Sequence, residues 1–140
     1  MSELTLAGKW LYGLLSADAT LTGLVAARVH DTRAEGVYPC IVFQYQGGYD
    51  ALGVGARRLQ VNALYVVWAV GKTVSPLALA PIADRIDELL HRKDAPVVIG
   101  GVTLGYIGCY RVQPFAMAET SNNIEYRHLG GIYRLMARED

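Results

Sequence analysis

Gly71-Lys72-Thr73 follows an apolar run, so a phosphate-binding loop is the first chemistry to test. That motif needs a glycine five residues before Gly71, where its backbone amides would cradle the phosphates. Position 66 is valine, and Pro76 stops a helix from running straight on, so a nucleotide site is not expected. Gly53-Val54-Gly55 leads into a strand pattern instead of a helix and fails the dinucleotide fingerprint. His91 closes a helical pattern, where a cation suits the helix dipole. His30 and His128 fall on separate strand patterns without a second ligand at metal-like spacing. Cys40 and Cys109 lie in apolar, strand-like contexts and read as buried reduced thiols. A nucleophile–base couple of either cysteine with His128 stays open, although nothing beside them suggests thiolate activation. Asp84, Asp87 and Glu88 could pair for acid–base work, but Arg85 and Arg92 are interleaved among them, which favours a solvated face with ion pairs. The expectation is no catalytic, cofactor-binding or metal residue.

The unusual inventory is the one suited to protein contact. Ten of the thirteen bases are Arg and only three are Lys, beside nine Tyr and two Trp. Arg, Tyr and Trp are enriched in buried interfaces, where Lys is depleted. A GC-rich genome would also raise Arg and Ala. Arg57 and Arg58, after a glycine-rich stretch, are the expected interface pair, with Tyr49 and Asp50 on the other arm of the same loop.

The elements that must position these residues follow from periodicity. Leu4, Ala7, Leu11 and Leu14 predict a helix over 2–16, with Ser2 as N-cap. Asp18 caps a short second helix carrying Leu21, Leu24 and Val25, and Val29-His30 is a short strand. From Cys40 the period becomes two, predicting a strand through Tyr49, and Gly47, Gly48, Gly53 and Gly55 predict a mobile loop or hairpin tip. A long strand covers 57–70, and a helix covers 75–92, with Pro76 and Pro81 before it or in its first turn. Two more strands are expected over 102–112 and 126–138, separated by a polar loop at 119–123. Gly130-Gly131 suggests a bulge or a close backbone approach. The predicted class is α+β, with two main helices packed on a largely antiparallel β-sheet, in one domain over 1–140.

Composition narrows the function. The chain is 52% hydrophobic and 19% charged, and its thirteen acids balance thirteen bases. Disorder is excluded, and binding to nucleic acid through bulk positive charge is not expected. The longest unbroken apolar run, Ala63–Val70, has strand length and cannot span a membrane. The start, Met1-Ser2-Glu3-Leu4, has no basic region of a signal peptide, and two cysteines are too few for a disulfide-stapled secreted domain. A cytosolic chain with part of its surface hidden in an oligomer fits these numbers.

The order of elements and their local signatures resembles the tail-completion, or tail-terminator, proteins of long-tailed bacteriophages. The start, Leu11-Tyr-Gly-Leu-Leu-Ser-Ala-Asp18 followed by Leu21-Thr-Gly-Leu-Val25, is similar to the family's opening helix and turn. Arg28-Val29 followed by Tyr38-Pro39-Cys40-Ile41-Val42-Phe43-Gln44 resembles its next run. Arg58–Trp68, Ile82–Leu90 and Gly130-Gly-Ile-Tyr-Arg-Leu135 resemble the later strand, helix and final strand. The Pro-rich start of the second main helix and the Gly130-Gly131 pair depart from the pattern. The resemblance implies a homo-oligomeric, hexameric ring that caps the tail tube, ends its polymerisation and docks onto head-connector proteins, without catalysis or cofactor. It implies a place at the tail–neck junction of the virion, with assembly in the host cytoplasm. Tail-tube protein and head-connector or neck proteins would be the partners, with no membrane and no sequence-specific nucleic acid. Another neck component, such as a head-completion or connector-bridging protein, would look similar. A small cytosolic enzyme or ligand-binding domain would instead need a pocket where two of Cys40, Cys109 and His128 converge.

Overall fold

Apolar residues recurring at three and four make helices here, and those recurring at two make strands. The computed structural model describes residues 3–53 and 58–139. The order is α1 (Glu3–Ala17), α2 (Ala19–Val25), β1 (Val29–Asp31), β2 (Cys40–Leu52), β3 (Arg58–Gly71), a 3-10 turn (Pro76–Leu79), α3 (Ala80–Leu90), β4 (Lys93–Ile99), β5 (Val102–Ser121) and β6 (Ile124–Glu139). The Ser2 cap and the Gly55 and Arg57 positions lie outside the described residues.

The helix starts follow local chemistry. The Asp18 carboxylate accepts from the Leu21 amide at 3.0 Å, satisfying one orphan N–H of α2. Ala26 ends α2 in the left-handed region, with φ 52°. Ser75 accepts from the Leu77 amide at 3.2 Å and opens the 3-10 turn, and Pro81 sits in the first turn of α3.

The six strands form one sheet in the order β1-β2-β3-β6-β5-β4. β1 pairs with β2 in parallel, and every other neighbouring pair is antiparallel. This corrects the expected class. Among the described residues the molecule is mostly β, with 54% strand against 28% helix, a curled mixed sheet and three helices, not two helices on an antiparallel sheet. Two strand regions account for the difference. β4 (Lys-Asp-Ala-Pro-Val-Val-Ile) opens on two charged residues and carries a proline, which conceals it, yet on the outermost strand of the sheet Pro96 costs little. β5 runs on to Ser121 and takes in three of the five residues expected to be a loop, leaving a tight turn at Asn122-Asn123 before β6. The Gly47-Gly48 segment is likewise not a loop: β2 continues through it to Leu52, with a register shift between Tyr45 and Gly47 that absorbs Gln46.

The register separates two faces. On one, Ile41, Phe43, Val67, Leu135, Ile107 and Cys109 meet Leu6, Leu11 and Leu15 of α1, Leu21 and Val25 of α2, and Ile82, Ile86 and Leu90 of α3, forming the main core. On the other, Cys40, Val42, Val66, Trp68 and Val70 form a smaller core covered by Ala34, Tyr38, Phe115 and Ile132. Gly130 is where backbones must approach. A Cβ there would lie 2.1 Å from the Val67 carbonyl oxygen and 2.5 Å from Trp68 Cα. The expectation of a close approach is met at Gly130, while the bulge lies on β5, between Arg111 and Gln113, facing Ile132 and Tyr133.

Candidate assembly interface

The chemistry-bearing residues are mostly spent on structure. Cys109 belongs to the main core and Cys40 to the smaller one, on opposite faces of the sheet. Burial pushes the Cys40 thiol up to about 11, against a smaller opposing pull from Arg28. Burial, then the Asp87 carboxylate, pushes Cys109 up to about 12. His128 is on the same sheet row as Cys40, two strands away through Val70, and its Nε2 lies 2.7 Å from Glu119 Oε1. Three surface cavities, of about 950, 940 and 400 Å³, are lined by at most one of Cys40, Cys109 and His128. No group of three or more His, Cys, Asp and Glu that could hold a metal occurs among the described residues. No helix among them is long and apolar enough to cross a membrane.

The α3 carboxylates divide their work. Arg85 reaches Asp18 at 2.7 Å and Glu88 at 2.8 Å, tying α3 to the cap of α2. Its hydrogen bonds hold the Asp18 carboxyl below the usual carboxylate range. Asp87, a third exposed, accepts from the Tyr133 hydroxyl at 3.0 Å and lies 3.7 Å from the Arg111 guanidinium, so it serves both the packing and an ion pair. Burial raises the Tyr133 phenol, and Asp87 adds to the rise. His91 caps α3, and its Nδ1 accepts from the Arg111 amide at 3.0 Å. Lys72 rests over the Tyr38 ring at 5.4 Å from its centroid, a structural use of the lysine tested above for phosphate.

The predicted interface residues do not all converge. Tyr49 and Asp50 lie in strand β2, not on a loop arm, opposite Asn62 and Val61. Arg58 opens β3 opposite Leu52, and Arg57 lies outside the described residues. The arginine that meets Tyr49 is Arg134, whose guanidinium stands 6.0 Å from the ring centroid.

Arg134 belongs to a group that the sequence reading missed. Beyond the smaller core, no described helix packs on the second face of the sheet. One row runs Tyr49, Asn62, Met136, Gly108, Asp94, and the next runs Leu64, Arg134, Tyr110. Arg138 stacks over Tyr106 at 4.9 Å, and Tyr49, Tyr106 and Tyr110 are all exposed. The groove of about 950 Å³ lies here, lined in part by Arg92, Lys93, Tyr106, Tyr110 and Arg138. The available signal was period two: Tyr106 and Tyr110 in β5, with Arg134 and Arg138 in β6, recur on one strand face.

No family model matches the chain, and no curated relative does. The fold has a solved counterpart. It is a chain of the structure described as the virion of a native gene transfer agent particle, at TM-score 0.65 and 19% identity, covering 93% of this chain and 92% of that one.

Proposed function

We propose that this chain is a structural subunit of a phage-like virion, and within it a tail terminator: a ring that caps the tail tube, ends its polymerisation and joins it to the head connector. The carrying observation is the fold likeness, along nearly the full length of both chains, to a component of a gene transfer agent particle. The motif order that resembles tail-completion proteins supports the finer role. The chemistry agrees, because both cysteines are consumed by packing while Tyr12, Tyr45, Tyr49, Tyr106 and Tyr110 are exposed. Such a role is carried out by binding and uses no cofactor.

Sedimentation velocity on the purified chain, alone and with tail-tube protein, tests the ring. A closed oligomer is the expected result, and a strict monomer under both conditions overturns the reading. Density at the head-proximal end of the tail in a virion reconstruction supports the terminator, whereas density higher in the neck assigns the chain to a head-completion or connector-bridging role. Reversing the charge of Arg57 and Arg58 together is expected to impair assembly more than folding, read by oligomer yield against thermal unfolding.

A further inference from the structure

Each long edge of the sheet is half shielded, and the shielded halves are at opposite ends. β1 covers β2 only over Ile41–Phe43, which leaves 44–52 without a neighbouring strand on that side among the described residues. β4 covers β5 only as far as Cys109. The Arg111 amide is then taken by His91, and 112–121 has no neighbouring strand on that side among the described residues. The two open runs have nearly equal length. They also run in opposite directions, because β2, β3, β6 and β5 are successively antiparallel.

The register makes the edges stepped. Gly48 is level with Cys109 through Ala63 and Leu135, beside β4. Ile41, beside β1, is level with Ala116 through Ala69 and Leu129. Sliding one copy along its strands therefore sets its open β2 run against the open β5 run of another. β4 of one copy and β1 of the other then flank the joint at its two ends. Exposed apolar side chains gather on the same runs: Tyr45, Tyr49 and Leu52 on β2, with Val112 and Met117 on β5 and Ile124 at the start of β6. Open strand edges with apolar side chains are templates for pairing. Here the bulges at Gln46 and Val112, together with Pro114, limit unregistered pairing.

We propose that copies of this chain join head-to-tail by strand addition, 44–52 of one copy pairing antiparallel with 112–121 of the next. The inference rests on the ring reading above and names its contact. A contact between two different surfaces closes into a ring when its rotation permits.

Amide hydrogen exchange on the full-length oligomer, compared with protein dissociated by dilution, tests it. The expected result is slowing by about tenfold or more confined to 44–52 and 112–121. The second arm is Ala118→Pro. Because the Arg111 amide faces the edge and the bulge at Val112 shifts the alternation, Pro114, Ala116 and Ala118 take edge-facing positions. The strand already accepts proline at 114, so the variant keeps the fold while deleting one edge donor. Its association is expected to weaken by about tenfold. A protein that never oligomerises overturns the ring and the contact together. An oligomer in which both runs exchange freely overturns the contact alone and leaves the ring standing. If Ala118→Pro unfolds, the exchange data on the native chain decide.

Discussion

Cys40 and Cys109 lie on opposite faces of the sheet, and burial holds both thiols protonated well above the ordinary range of about 8.5. Native protein at pH 8 is therefore expected to resist iodoacetamide and to take up label on both cysteines once unfolded in urea. Rapid labelling of the folded chain, followed by mass spectrometry, would contradict the packing. Gly130 is a second residue with a definite consequence. An added methyl would meet backbone atoms of β3, which cannot rotate away, so Gly130→Ala is expected to cost about 1–3 kcal/mol or more in urea unfolding. The glycine pair was legible in the sequence as either a bulge or a close approach, the uses glycine has in a strand, and only the pairing with β3 selects the second. The partner of Tyr49 was not legible. Arg57 and Arg58 are its neighbours along the chain, while Arg134 is its neighbour across two strands.

Among the elements, α2 and α3 are joined through Asp18, which caps one and pairs with Arg85 of the other. The folded carboxyl titrates below its ordinary value of 3.8, so its contribution is fully present above that value. It fades as pH falls through the lowered folded value. Asp18→Asn is therefore expected to lose stability near neutral pH and to show a shallower decline below about pH 4, measured by thermal unfolding across pH. An identical acid slope in both proteins would remove the pairing from the account. Helices were legible because their stripes are long and their caps local: α1, the Asp18 cap and the position of Pro81 agree with the sequence reading. The strands that escaped it, β4 and the far half of β5, are mostly exposed and polar or proline-bearing, so hydrophobic alternation is weak there. Tertiary pairing, not propensity, makes them strands.

For the whole molecule, one sheet carries two cores, and β2, β3 and β6 contribute side chains to both. The chain is expected to unfold as one cooperative domain. Trp10 packs against the main core and Trp68 lies in the smaller one, so Trp10→Phe isolates the second. Its fluorescence transition in urea should coincide with that of far-UV circular dichroism, and separated transitions would divide the domain. The stepped edges have a further geometric consequence. Matching the middles of the two open runs needs a slide of about six residues, on the order of 20 Å, while the four strands from β2 to β5 span about 19 Å. Copies joined in this way would incline their strands by about 45° to the ring axis, close to the tilt of closed barrels. Six copies would line a wall of about 24 strands, with a backbone diameter on the order of 50 Å. One contact would then set the bore, and a change of register by two residues, the smallest that keeps edge-facing groups paired, would resize the passage before it altered the stability of any subunit.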